Sequence, residues 1–261
     1  INRERYETWF QPIVHAAEPD VENPFAMEGL FRMRDDNGTI IPPAHVFNMV
    51  GQADLLFSVD LSARRSAVET AARARVRSKI FVNFNPSSIY DPAYCLRTTA
   101  AAIGELGMRP HDIVFELTET HRAKDLAHLK GILAFYRSAG FGVVLDDIGS
   151  GWSGLNMLHE FRPDFVKVDM DLVRDVDTDK YKQPIVEHLS QIARANGIRT
   201  IGEGVETEAE AASLRDKGVD YLPGFYFARP APLENRLDAD ENRRVTEAGR
   251  IFGEATALQT K

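Results

Sequence analysis

Apolar residues fall in short β-branched runs, and stretches with helical spacing separate most of them. The runs predict strands over residues 9–15, 25–33, 79–85, 112–117, 142–147, 165–169, 198–203 and 219–227. The spacing predicts helices over 44–57, 61–76, 98–105, 125–139, 185–195 and 206–217. Several runs are apolar at successive positions rather than at alternate ones, as in Ile80-Phe81-Val82 and Gly142-Val143-Val144-Leu145. Such runs suit strands buried on both faces, in a parallel sheet covered by helices. Eight strands alternating with helices predict an α/β fold, a TIM-type (β/α)8 barrel.

The first connection departs from that plan. The stretch HAAEPDVENP between the first two strands contains prolines and acids and has no helical periodicity. Parallel neighbours need a crossover of a dozen or more residues, usually a helix, whereas antiparallel neighbours accept a short loop. The first strand is therefore expected to run antiparallel in a modified barrel. No internal repeat or low-complexity linker interrupts the chain, so a single domain is expected, with its core over 9–232. The polar segment 233–261 is expected to add a closing amphipathic helix at 239–256.

Composition narrows the chemistry. The 261 residues carry 31 Lys+Arg against 39 Asp+Glu, a formal charge of −8, which argues against gripping polymeric nucleic acid. The single cysteine, Cys95, excludes an internal disulfide and makes the cytoplasm the expected compartment. No apolar run reaches the roughly 20 residues of a membrane helix. The first residue is Ile1 rather than Met, so the chain is expected to be excised from a longer multidomain protein.

Polar residues gather at or just past the C-terminal ends of the predicted strands, where TIM barrels build their active sites. Glu28 and Arg32 lie on the second strand and Asn83 on the third, within FVNFNP. Glu116 and Glu119 close the fourth in FELTE, and Asp146 and Asp147 close the fifth in VLDDIGSGWSG. Lys167 and Asp169 belong to PDFVKVD on the sixth, and Glu203 and Glu206 to GEGVE on the seventh. Taken singly, an acid at a strand end is a turn residue or a helix cap. Five strands ending in acids or Asn at one rim are different, because clustered carboxylates repel unless cations neutralise them. Carboxylates and an amide, with no Cys or His among them, favour Mg²⁺ or Mn²⁺ over Zn²⁺. The adjacent Asp146 and Asp147 suit a pair of ions about 3.5–4 Å apart, the usual arrangement for phosphoester cleavage.

The ordered motifs resemble the EAL-domain cyclic di-GMP phosphodiesterases from about residue 9 to 232. The signature ExLxR stands here as Glu28-Gly29-Leu30-Phe31-Arg32, with Gly in place of the usual Ala. QPIV from Gln11, FVNFNP, ELTE, DDIGSGWSG, PDFVKVD and GEGVE follow in the family's order. The resemblance implies hydrolysis of cyclic di-GMP to linear pGpG on a barrel whose first strand is antiparallel. It implies Glu28, Asn83, Glu116 and Asp146 as ligands of one divalent ion, and Asp146, Asp147 and Glu203 as ligands of a second. It further implies Lys167 as holder of the attacking water, with Glu203 also viewed as its base, and Gln11, Arg32 and Asp169 as substrate contacts. Glu119 and Glu206 are implied as braces of the loop after the fifth strand. A homodimer and an upstream sensory or regulatory domain are implied as partners.

Two departures from the family pattern stand out. Pro223 replaces a glutamine that contacts a guanine base, and Phe225 replaces a tyrosine. Proline has no side-chain donor or acceptor, so base recognition is expected to be weaker or supplied differently. Ile148, Ser150 and Trp152 stand where Phe, Thr and Tyr are common. The competing expectation is a catalytically silent cyclic di-GMP receptor, a reading that the full set of retained acids argues against. A sugar-phosphate enzyme would want a Gly-rich phosphate loop where GEGVE places acids.

Overall fold

The apolar runs become eight barrel strands, numbered here in chain order. They are β1 (Tyr6–His15), β2 (Ala26–Arg34), β3 (Lys79–Asn83), β4 (Ile113–Leu117), β5 (Gly142–Ile148), β6 (Phe165–Val168), β7 (Arg199–Gly202) and β8 (Tyr221–Leu222). The computed structural model describes residues 6–41, 45–46, 53–85, 103–104, 106–117, 126–149 and 154–234. Strands β2 to β8 pair in parallel with their chain neighbours. β1 closes the ring by pairing antiparallel with both β2 and β8. The expected modified TIM barrel is thus the fold. Two-residue ladders at Ile40–Ile41 and Ala231–Pro232 extend β2 and β1 respectively.

The reversal of β1 follows from the loop before β2. Asp20 accepts hydrogen bonds from the backbone N–H groups of Glu22 (2.9 Å) and Asn23 (3.1 Å). This Asx-type turn returns the chain without a helix.

Alternation sorts the strand residues into two layers. Val82, Phe84, Phe115, Val143, Leu145, Val166 and Val168 face outward and pack with helical residues such as Ala67, Val68, Leu129, Ile132, Val186 and Leu189. Inside the barrel a second cluster takes one residue from each strand: Ile13, Ala26, Phe81, Val114, Val144, Phe165, Ile201 and Tyr221. Gly29 is explained by the outward face. A Cβ there would lie 3.0 Å from the Ala67 Cβ and 3.4 Å from the Thr8 Cγ2, so an alanine would require the helix to give by a few tenths of an ångström.

Among the described residues, the helices that cover the barrel are α1 (Ala53–Arg73), α2 (Leu126–Ser138), α3 (Gly154–Phe161), α4 (Met170–Val173), α5 (Lys182–Ala195) and α6 (Glu208–Asp216). Three expectations need correction. The predicted gap between helices at 58–60 does not exist, because α1 runs straight through it. Asp60, in that span, is buried inside α1 and accepts from Arg64 (2.8 Å) and from the backbone N–H of Asn85 (3.2 Å). The last strand is two residues rather than nine, since Pro223 offers no N–H to a ladder and Gly224 turns tightly against Val205. Helices α3 and α4 were not foreseen; each is too short to display a clear period. The predicted helix at 239–256 and most of that at 98–105 lie outside the described residues. No described helix is long and apolar enough to cross a membrane.

Candidate metal and catalytic site

The site is the continuation of the barrel's inner layer. One alternation beyond each apolar residue, toward the C-terminal rim, stand Glu28 after Ala26, Asn83 after Phe81 and Glu116 after Val114. Asp146 likewise follows Val144, Lys167 follows Phe165 and Glu203 follows Ile201. On antiparallel β1 the same step runs backward, from Ile13 to Gln11, which pairs with Glu28. A period of two therefore carries the polar residues of separate strands to one level.

Asp147 is the exception. Strict alternation would turn it outward, yet the β5–β6 register shifts between Leu145 and Ile148, and Asp147 has a φ of 55°. This bulge, in a left-handed conformation that Asp tolerates, brings two consecutive carboxylates to the site. The Asp147 N–H donates to Asp146 Oδ1 (3.0 Å).

At the centre lies Lys167, whose side chain is 1% exposed. Its Nζ is 2.7 Å from Glu203 Oε1, 3.1 Å from Glu28 Oε1 and 3.5 Å from Asp146 Oδ1, and it donates to Glu116. Burial opposes its charge, but Glu203 and Glu28 outweigh that cost and hold the ammonium above the usual lysine range. The acids are not all satisfied. Burial, then repulsion from Glu203, Asp147 and Glu28, pushes Asp146 well above the ordinary carboxylate range. Burial also raises Glu203, against the pull of Lys167.

Two overlapping groups bring carboxylate oxygens within 4.8 Å of one another: Glu28, Glu116 and Glu203, and Asp146, Asp147 and Glu203. Five carboxylates around one ammonium leave a formal excess of four negative charges when all are ionised, which two divalent cations would cancel. Glu116 Oε2 is buried without a hydrogen-bond partner, an acceptor whose desolvation is compensated by no donor. All-oxygen donors, an orphaned carboxylate oxygen and surplus charge fit hard divalent ions.

The remaining predicted residues spread around this centre. Asn83, exposed at the end of β3, is in register with Glu116. Arg32 donates to the Phe31 carbonyl (2.8 Å) and lies 5.4 Å from the centre of the Trp9 ring. Burial lowers its pKa while Glu28 and Glu7 counteract, so the guanidinium stays a cation near the acids. Gln11 Nε2 donates to the Ala228 carbonyl (2.9 Å), tying β1 to the loop after β8. Asp169 caps α4 by accepting from the Asp171 N–H (2.7 Å). Glu206 pairs with Arg174 (2.8 Å), a residue singled out by nothing in the sequence pattern. Glu119 and residues 150–153 of the loop after β5 lie outside the described residues. Pro223 is buried, whereas Phe225 is exposed with the Arg229 guanidinium 4.3 Å above its ring.

Comparison with known proteins gives a consistent picture. The model of the family described as EAL domain matches residues 1–230. The chain is 26% identical to the probable cyclic di-GMP phosphodiesterase PdeN of Escherichia coli K12, covering 90% of this chain and 45% of that protein. It is 28% identical to the cyclic di-GMP phosphodiesterase RocR of Pseudomonas aeruginosa, covering 89% and 59%. It thus spans about half the length of these curated relatives. A standalone EAL protein from Vibrio cholerae O395, solved in a c-di-GMP-bound form, superposes with a TM-score of 0.78 at 36% identity, covering 87% of this chain and 92% of that one. BlrP1 from Klebsiella pneumoniae, solved as a manganese/cy-diGMP complex, superposes at 0.77 and 28% identity, covering 88% and 61%.

Proposed function

Since the chain belongs to the EAL-domain family, we propose that it is a divalent-metal-dependent phosphodiesterase that opens cyclic di-GMP to linear pGpG. The observation that carries this reading is the pair of overlapping carboxylate groups sharing Glu203, in one rim with Lys167. Glu28, Asn83, Glu116 and Asp146 would hold one Mg²⁺ or Mn²⁺, and Asp146, Asp147 and Glu203 the other. Bound ions would supply Lewis acidity and water of lowered pKa, the chemistry such paired sites provide.

The chain's own residues supply position and charge. Lys167 donates from the floor of the site and orients the attacking water in line with the departing ribose oxygen. Arg32, on the same face of β2 as Glu28, offsets charge on the phosphoryl oxygens. Gln11 and Asp169 line the substrate's path, and Glu119 and Glu206 support the loop after β5. We place the protein in the cytoplasm, as a single barrel domain acting within a longer, dimeric polypeptide. The partial span of the curated relatives supports the longer polypeptide.

Incubation with cyclic di-GMP and Mn²⁺, followed by chromatography, tests the proposal. Linear product is expected, suppressed by EDTA. The rate should fall in Asp146→Ala by more than the roughly 100-fold that loss of an outer-shell partner costs a metal site. A tenth of the parent rate surviving in that variant would remove the metal assignment. Tightly bound but uncleaved nucleotide would favour the receptor reading, which the Pro223 replacement supports.

A further inference from the structure

Glu203 is common to both carboxylate groups, so its placement decides whether the site closes on two ions. The short stretch that carries it is held from three sides. Toward β6, the Glu203 N–H donates to the Val168 carbonyl (3.1 Å). Toward β8, the Val205 N–H donates to Pro223 (3.2 Å), and Tyr226 donates to the Val205 carbonyl (3.0 Å). The third hold is made of side chains. Arg174, at the end of α4, donates to the Gly204 carbonyl (3.3 Å) and Glu210 Oε1 (3.1 Å) and forms an ion pair with Glu206 Oε1 (2.8 Å).

Glu210 is 2% exposed. Its two oxygens also accept from the backbone N–H groups of Glu206 (2.8 Å), Thr207 (3.1 Å) and Asp175 (3.1 Å). Burial opposes its ionisation, but these donors and Arg174 prevail and keep it charged. The packing leaves little slack. Gly204 has a φ of 66°, and a Cβ there would lie 3.1 Å from the Met170 Cβ. The Arg174–Glu210 pair thus joins the turn after β7 to the turn after β6, the strands that carry Glu203 and Lys167.

We infer that Arg174 and Glu210 are positioning residues that set Glu203 for metal capture, an inference resting on the metal reading above. Neither touches the carboxylate cluster; they fix the backbone that presents it. A forked guanidinium reaching three acceptors in different directions is a task lysine's single ammonium cannot reproduce.

The test is calorimetric titration with Mn²⁺ in the absence of nucleotide, beside turnover measured across Mn²⁺ concentrations. Loss of an outer-shell support costs a metal site about 10–100-fold in affinity, so Arg174→Met should bind Mn²⁺ at least about tenfold more weakly. Its turnover should return to within about twofold of the parent at saturating Mn²⁺, a rescue that general loosening of the fold would not show. If Arg174→Met fails to fold, Arg174→Lys keeps the charge without the fork and carries the same expectation. Equal Mn²⁺ affinities in parent and variant overturn the clasp alone. Failure of the parent to bind Mn²⁺ overturns the metal reading and the clasp with it.

Discussion

The barrel interior has two levels two residues apart, built by the same strands and opposite in character. The lower level, with Phe81, Phe165 and Tyr221 among its members, is apolar and ring-packed, Phe81 and Phe165 lying 5.4 Å apart. The upper level gathers Glu28, Glu116, Asp146, Glu203 and Lys167, a buried ion cluster with surplus negative charge. Backbone geometry treats the two alike, so the difference lies in what each does with desolvation. The lower level gains from losing water. The upper level loses by it, and a cluster kept at that cost is the mark of a binding site.

This contrast makes opposite predictions for mutations one step apart. Phe81→Ala should cost about 3–5 kcal/mol of stability, read by chemical denaturation, because its cavity opens at the centre of the lower level. Mn²⁺ affinity of the folded fraction should change little. A large loss of affinity with unchanged stability would mean that the levels are not separable.

Asp146→Asn should act the other way and more modestly. It keeps the acceptor for the Asp147 N–H while removing one of the repelling charges. In EDTA at neutral pH it should raise stability by about 1 kcal/mol, or roughly 2–4 °C in Tm at this chain length. The sign with pH follows from the raised pKa. Folded Asp146 holds its proton to higher pH than the unfolded residue, so its charge penalises the fold above the ordinary carboxylate value of 3.8 and ceases to do so as pH falls toward it. Melting curves should therefore show the variant's advantage at pH 7–8 shrinking toward pH 4. An advantage that grows on acidification would contradict the repulsion argument.

Much of this was legible in the chain. The strands announced themselves by consecutive apolar residues, and HAAEPDVENP, with no helical periodicity, gave the antiparallel β1. The ring of acids was legible because it sits at strand ends, where position is set by local pattern. What escaped depends on contacts far apart in the chain. The continuity of α1 through residue 60 was not legible, because the Asn85 backbone N–H that anchors Asp60 lies 25 residues away in the chain. The Thr207-x-x-Glu210 box was readable as a helix start, yet nothing local revealed that Glu210 also receives Arg174. The bulge turning Asp147 inward was invisible too, since the periodicity alone would face it outward.

Counting ions tests the central claim most directly. Calorimetric titration of the metal-free chain with Mn²⁺ should give two ions per chain, falling to one in Asp147→Ala, which belongs to only one of the two carboxylate groups. A chain that takes up no Mn²⁺, or whose stoichiometry ignores Asp147→Ala, would contradict a paired-cation site built from these strands.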